Sequence, residues 1–452
     1  MATGIPRPRT ANPRNAPTHS EQGISLAYEG KKPEAEILST EPDTTRLLWS
    51  TDPDPCAGDW INRLYYGDNR LVLPALLRDA SILGKVRLVY IDPPFATRSL
   101  FQSRTQEHAY GDLLSGAHYV EFMRESLLFL RELLAEDGSI YVHLDENMAF
   151  HIKIVMDEIF GRANFLNWIT RKKCNPKNYT RNTYGNISDF VLFYTKTESY
   201  VWNRAYEEWT EQRITKEYQY VEPETGRRYK KVPLHAPGIR HGQTGQPWVG
   251  KNPPPGKHWQ YPPRVLDEMN GRGEIYWSPN GNPRRRVYWD DSQGVPVQDI
   301  WLDFRDAHNQ NIKITGYPTE KNPDLLARIV AASSNEGDLV LDAFSGSGTS
   351  LGVSSQLGRR WIGIDSSPQA IIATINRLER GPQPMGDFVR SNGRANGALS
   401  GEQMRLPLGQ RSTQYAVYAS EPYDGSLDAV LSVRGGAAFG VTINPIPRGV
   451  LA

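Results

Sequence analysis

The chain has 452 residues, 38% of them hydrophobic, enough for substantial cores and too long for one ordinary domain, so two or three are expected. Lysine and arginine total 52 against 51 acidic residues, a formal charge of +1, which neither demands nor excludes a nucleic-acid partner. Two cysteines, Cys56 and Cys174, exclude a disulfide framework, and no apolar run approaches the roughly 18 residues of a membrane span or forms the core of a signal peptide, so a soluble cytoplasmic protein with no membrane partner is expected.

Residues 1–45 are rich in Pro, Thr, Asn and Arg without periodicity, and disorder is expected there at least in part. From residue 46 to 200 the pattern is that of an α/β domain. Residues 64–77 read as a strand, a turn at Gly67-Asp68 and a helix. Residues 86–92 are a continuous apolar strand, as in a parallel sheet covered on both faces. Residues 118–138 form an amphipathic helix with Phe122, Leu127, Leu130 and Leu134 in its stripe and Gly138 closing it. A strand over 139–145, a helix over 147–161 and a strand over 189–196 follow. Strands alternating with helices indicate an α/β sheet.

Between 201 and 300 Gly, Pro, Trp, Tyr and Arg dominate and regular periods vanish, which marks an insertion or second domain. From 301 to 380 the α/β pattern returns: a helix over 323–334, a strand over 338–344, a glycine turn, a helix to 357, a strand over 359–365 and a helix to 378. The segment 381–452 is Gly-rich, with candidate strands at 415–419 and 429–433.

Two turns carry chemistry. In LDAFSGSGTS (residues 341–350) Gly346 and Gly348 let the backbone turn tightly beneath a ligand. Asp365 ends the next strand, where an acidic side chain can accept hydrogen bonds from ribose hydroxyls, so the unit suits a nucleoside-containing cofactor. The Gly-Lys-Ser/Thr ending of a phosphate loop is missing. A tight turn followed by a surface aspartate is the plainer alternative. In YIDPPF (residues 90–95) Asp92 ends a buried strand, and Pro93 and Pro94 remove two backbone donors while keeping their carbonyls. That makes an acceptor-only corner beside the Phe95 ring. A planar amino heterocycle could stack on Phe95 and donate its amino hydrogens to Asp92 and the Pro93 carbonyl. A rigid strand-end turn with Phe95 in the core remains equally open on these residues alone.

Taken together, these turns resemble the amino-methylating DNA methyltransferases. Asp92-Pro93-Pro94-Phe95 matches the family's (Asp/Asn/Ser)-Pro-Pro-aromatic catalytic motif, and Phe344-Ser345-Gly346-Ser347-Gly348-Thr349 matches its Phe-x-Gly-x-Gly-Thr cofactor motif. The order, catalytic motif first and a long variable region between, is similar to the β class, which includes the modification subunits of type III restriction systems. Thr319-Glu320-Lys321-Asn322 resembles the family's Thr-Glu-Lys-Pro segment at the methionine end of the cofactor, with Asn322 in place of proline. Gly67-Asp68 resembles the segment near the cofactor adenine. Residues 137–165 and 296–304 are close to the type III pattern. Two departures stand out: Ala96-Thr97-Arg98 where the family more often has Asn-Thr-Gly, and an unfamiliar segment after Gly381.

The resemblance implies a Rossmann-like S-adenosylmethionine-dependent fold with a mixed, mainly parallel seven-stranded sheet. Residues 46–200 would be its catalytic part, 301–380 its cofactor-binding part and 201–300 a target-recognition region. Asp92 through Phe95 would act on the base. Asp68, Thr319, Glu320, Lys321, Asn322, Asp342, Phe344, Gly346, Gly348, Thr349 and Asp365 would hold S-adenosyl-L-methionine. The partner would be double-stranded DNA, contacted by Arg98, Arg171, Lys172, Lys173, Arg284, Arg285 and Arg286, and no metal is required. The leading aspartate points to adenine N6; cytosine N4, or a DNA-binding subunit without catalysis, are the alternatives. A Pro55-Cys56 pair could suggest cytosine C5 chemistry, but it precedes the first clear strand and the cofactor motif. Dimers are common in the class, so a homodimer and a restriction or defence-system partner are expected.

Overall fold

The computed structural model describes residues 24–55, 60–94, 116–174, 182–304, 320–380 and 413–443. Phe95, Arg98 and Thr319 lie outside these residues. The chain forms two compact units; the described part of the second is Arg204 to Gln298, and the first comprises the described residues on either side of it.

The first unit opens with α1 (Glu34–Leu38), β1 (Thr45–Ser50), β2 (Asn62–Tyr66), α2 (Asn69–Leu76) and β3 (Val86–Ile91). It continues through α3 (Ala117–Leu133), β4 (Leu134–Leu144), α4 (Ala149–Phe160), β5 (Phe165–Lys172) and β6 (Ser188–Thr195). The second unit holds β7 (Tyr206–Glu207), α5 (Glu211–Glu217), β8 (Tyr220–Val221), β9 (Arg228–Pro233), β10 (His235–Pro237), β11 (Lys257–Trp259), α6 (Pro263–Gly271), β12 (Ile275–Trp277), β13 (Pro283–Tyr288) and β14 (Val295–Pro296). The first unit resumes with β15 (Ile300–Trp301), α7 (Pro323–Ser333), β16 (Leu339–Asp342), α8 (Thr349–Gln356), β17 (Arg360–Asp365), α9 (Pro368–Arg380), β18 (Tyr415–Ser420), α10 (Asp428–Leu431) and β19 (Ala437–Ile443).

The first unit is organised by one eleven-stranded sheet in the order β15-β5-β6-β4-β3-β16-β17-β2-β18-β1-β19. From β4 to β18 all neighbours are parallel, while β6 runs antiparallel to both β4 and β5. The apolar run of β3 is buried in the middle: Val86, Leu88, Val89, Tyr90 and Ile91 are all within 2% of complete burial. Helices cover both faces. One cluster packs Leu127 and Leu130 of α3 and Ile152 of α4 with Val89, Leu341 and Ile362 of the sheet. The other packs Leu351 of α8 and Ile371 and Ile375 of α9 against Leu64, Trp361 and Val417.

The structure refines two expectations and corrects two others. The sheet is larger than seven strands, because β15 extends one edge and β18, β1 and β19 extend the other. Within the segment 1–45, the described residues from 24 onward are tied to the sheet unit: Tyr28 donates to Glu121 at 2.5 Å, and Lys31 and Lys32 pair with Glu158 and Glu125, each at 2.6 Å, on α4 and α3. Residues 429–433 fall in and after the short helix α10 rather than in a strand. Finally, α3 ends at Leu133, not Gly138, and passes directly into β4. Gly138 serves instead where β4 crowds β3, since a Cβ there would lie 2.9 Å from the carbonyls of Ala135 and Val86.

The second unit contains a four-stranded sheet, β12-β13-β9-β8, and an apolar cluster of Leu234, Trp248, Trp259, Leu266, Met269 and Ile275. Its strands are short and its core gathers scattered residues around two tryptophans, which is why the sequence shows no helical or strand period there.

Candidate active site

Five neighbouring parallel strands end in an aspartate. In sheet order they are β4 with Asp145, β3 with Asp92, β16 with Asp342, β17 with Asp365, and β2 with Asp68 one residue beyond Gly67. This is the carboxyl edge of the sheet, where open α/β folds bind ligands.

Each carboxylate is used differently. Asp145 receives the backbone N–H of Asn147 and, at 3.3 Å, of Met148, closing the approach to α4. Asp68 caps α2 by accepting from the Arg70 N–H at 2.9 Å and pairs with the Arg70 guanidinium. Asp365 accepts from the Gly346 N–H at 2.8 Å and from the Ser367 N–H at 2.9 Å. It therefore holds the glycine turn directly, a role the sequence did not suggest. Asp342 accepts from the Phe344 N–H at 3.0 Å and from the Ser350 hydroxyl.

Burial pushes the Asp342 carboxyl up to about 7, with Asp92 and Asp365 adding to the shift and the two hydrogen bonds opposing it. Burial likewise raises Asp365 to about 6, against backbone hydrogen bonds from Ser367, Gly346 and Ser366. The crowding of Asp342 by Asp92 and Asp365 suits a cationic ligand beside it.

The glycine turn is built for close approach. Gly346 and Gly348 both have positive φ, 50° and 70°, and Gly348 begins α8. A Cβ on Gly348 would meet Thr374 of α9 at 2.6 Å. Phe344 turns away from the edge and packs edge-on against Phe122, 5.8 Å between centroids. Thr349 is buried at the start of α8.

Glu320, Lys321 and Asn322 bind this edge together. Buried Glu320 pairs with buried Arg377 of α9, and Arg377 donates to the Ser347 carbonyl at 2.8 Å. Lys321 Nζ lies 3.0 Å from Asp92 Oδ2. Asn322 caps α7 by accepting from the Asp324 N–H at 2.8 Å. Sequence reasoning missed Arg377. The available signal was a guanidinium on the face of α9 that otherwise carries Ile371, Thr374 and Ile375.

Behind Asp92 a polar chain crosses four strands. Tyr90 Oη is 2.9 Å from His143 Nδ1, and His143 Nε2 is 3.0 Å from Asp189 Oδ2, without the alignment of a hydrogen bond. Arg171 donates to the same Asp189 oxygen at 2.8 Å and to the Phe304 carbonyl at 2.7 Å. Burial opposes the charge of Asp189, but His143, Arg171 and Lys321 outweigh it and hold the carboxyl well below the usual range.

That chain removes Arg171 from the DNA-contact candidates. It is 0% exposed and its guanidinium is spent on Asp189, so it cannot reach a phosphate. Its neighbours Lys172 and Lys173 are half-buried at the end of β5. In the second unit Arg284 is exposed, Arg285 donates to the Tyr261 hydroxyl at 2.8 Å, and Arg286 pairs with Glu222 at 2.8 Å. The run of three is therefore not one cluster; alternation along β13 splits it between faces.

Orphaned polar atoms gather on the same edge. Asp92 Oδ1, the Asn69 side-chain amide and Ser345 Oγ are buried without a hydrogen-bond partner among the described residues. They follow or end β3, β2 and β16 respectively. Unpaired buried groups of this kind call for a ligand. A polar, positively charged molecule with hydroxyl and amino groups fits them and the glycine turn.

Comparison with known proteins agrees with this geometry. The DNA methylase family, N6/N4 type, matches residues 86–376, a span that includes Asp92, the second unit and the glycine turn. The chain is 44% identical over 406 residues to the type II methyltransferase M.EcaI of Enterobacter cloacae, covering 90% of this chain and 87% of that protein. It is 26% identical over 406 residues to the type III EcoP15I Mod subunit of Escherichia coli, covering 73% of this chain and 61% of that subunit. Among solved structures, the cytosine-N4-specific PvuII DNA methyltransferase aligns with 70% of this chain and 86% of its own, at 16% identity and a TM-score of 0.40. With a carboxylate corner and a glycine turn on one sheet edge inside the matched span, the chain belongs to the N6/N4 DNA methylase family.

Proposed function

We propose that the protein is a site-specific DNA adenine-N6 methyltransferase that uses S-adenosyl-L-methionine as methyl donor and double-stranded DNA as substrate. The observation that carries this reading is Asp92: it ends β3 beside the glycine turn of β16, with one carboxylate oxygen buried and without a partner among the described residues. The Asp-Pro-Pro-Phe motif favours adenine over cytosine by its leading aspartate.

The target base leaves the stack, at a cost of a few kcal/mol. An exocyclic amine is a poor nucleophile because its lone pair delocalises into the ring. Asp92 Oδ1 accepts one amino hydrogen and the Pro93 carbonyl accepts the other, which draws the nitrogen toward tetrahedral geometry and frees the lone pair. When bound, the donor supplies a methyl group on a sulfonium, and the C–S electron pair leaves with a neutral sulfur. The amino nitrogen forms the new N–C bond and sheds one proton. Asp365 and the Gly346 N–H fix the turn that would hold the donor, and Asp342 adds negative charge beside it. Asn at a carboxylate position would keep the shape and lose that charge.

Asp92→Ala is expected to lower methyl transfer by at least ~10³-fold while cofactor affinity by calorimetry stays nearly unchanged. Unaltered turnover would overturn the assignment. Mass analysis of nucleosides from DNA treated with the wild-type protein decides the base: N6-methyladenine is expected, and N4-methylcytosine alone would refute the adenine reading. Kinship with type II and type III methyltransferases also supports a restriction partner. A homodimer is the expected assembly, and sedimentation of the free protein tests it.

A further inference from the structure

We infer that Lys321 is a positioning residue for the methyl acceptor, holding Asp92 in the rotamer that presents Oδ1 to the target amine. The inference rests on the reading of Asp92 given above, and it departs from the cofactor-contact role that the Thr-Glu-Lys-Asn resemblance implies for Lys321.

The geometry is specific. Lys321 Nζ lies 3.0 Å from Asp92 Oδ2, with side chains only 11% and 20% exposed. One carboxylate oxygen is thus engaged by the ammonium, and the other is buried with no hydrogen-bond partner among the described residues. A carboxylate free to spin about its terminal bond would offer the amine a broad set of directions. An ion pair on one oxygen removes that freedom and leaves the other as a single acceptor in a fixed direction.

Lys321 is itself held in place. Its predecessor Glu320 is locked to Arg377, which grips the Ser347 carbonyl of the glycine turn. Its successor Asn322 caps α7. Behind it, Asp189 feels the Lys321 charge and is fixed by Arg171 of β5 and His143 of β4. Three consecutive residues therefore pin the donor turn, the acceptor carboxylate and a core helix. A shift of the glycine turn would pass through Glu320 to Lys321 and so to Asp92.

The test separates the two roles of Lys321. Lys321→Met and Lys321→Arg are compared with wild type for cofactor Kd by calorimetry and for kcat and KM with saturating cofactor and DNA. Positioning predicts that Lys321→Met loses about 30-fold or more in kcat with cofactor Kd changed by less than about 3-fold, and that Lys321→Arg recovers part of the loss. A cofactor Kd weakened more than about 10-fold, with kcat restored at saturation, would assign Lys321 to the cofactor and overturn the inference. Unchanged kcat in Lys321→Met would overturn it equally. Should Lys321→Met fail to fold, Lys321→Gln against Lys321→Arg carries the same comparison. N4-methylcytosine as product would sink only the adenine assignment and leave the Lys321 comparison standing. A wild-type protein that labels no DNA would overturn both.

Discussion

At the scale of single residues, the site is governed by how five strand-end aspartates share one edge. Asp342 shows the electrostatic consequence. Its carboxyl is raised to about 7 by burial first and by its neighbours Asp92 and Asp365 next. A cationic ligand beside it favours the ionised form, so binding near neutral pH should release protons. Cofactor affinity should rise with pH to about 7 and then level off; calorimetry in buffers of different ionisation enthalpy reads both effects. Without ligand the sign for stability runs the other way. A carboxyl raised from 3.8 to about 7 on folding contributes stability that is complete below pH 3.8 and is lost as pH rises through 7. Asp342→Asn keeps an acceptor for the Phe344 N–H and a donor for Ser350. It should therefore melt higher than wild type at pH 8, by an amount that vanishes near pH 4. Gly348 gives a steric prediction. At φ 70°, and with Thr374 2.6 Å from where a Cβ would stand, Gly348→Ala combines left-handed strain with a clash, and a loss of about 2–3 kcal/mol in chemical denaturation is expected.

At the scale of elements, strands and helices of the sheet unit were legible because their periods are long and clean. The run from Val86 to Ile91, the α3 stripe from Phe122 to Leu130 and the turn from Asp342 through Gly348 stand where the sequence put them. What escaped was set by partners distant in sequence. Arg171 and Lys172 end β5 and Lys173 follows, which reads as a basic cluster until Asp189, 18 residues beyond Arg171, is placed across the ladder. The row of aspartates was equally hidden, since its members belong to segments nearly 300 residues apart and only the strand order makes them neighbours. Charge clusters therefore separate by experiment. Arg171→Ala leaves Asp189 buried beside an incompletely compensated charge and should cost about 3–5 kcal/mol of stability. Arg284→Ala, at an exposed position on β13, should leave the melting temperature unchanged. If Arg284 contacts a phosphate, its variant lowers DNA affinity at all sequences and reduces the salt slope of binding by about 1.

At the scale of the whole molecule, the segment beyond residue 412 is structural. β18 lies between β2 and β1, parallel to one and antiparallel to the other, and β19 pairs with the far side of β1. Tyr418 stacks on Tyr65 of β2 at 4.9 Å, and Tyr415, Val417 and Leu427 belong to the core cluster that also holds Trp361 and Ile375. Removing residues 413–452 would uncover an edge of β2 and strand β1 with no neighbour. The truncated protein is expected to be insoluble, or to unfold well below the full chain in a thermal scan. A soluble truncation with wild-type melting would show that β1, β18 and β19 are dispensable. The second unit leaves a weaker trace in the sequence. Its core rests on a few tryptophans, such as Trp248 stacked on Trp277 at 5.3 Å, rather than on a repeating pattern.

The place of β18 also bears on synthesis. Strand β2, which leads into the Gly67-Asp68 turn, leaves the ribosome early, yet the neighbour that completes its ladder is made more than three hundred residues later. Until then one flank of the donor-binding edge lacks its partner. A nascent chain would thus carry the Asp92 turn long before, and the glycine turn shortly before, the sheet that holds them is closed by β18.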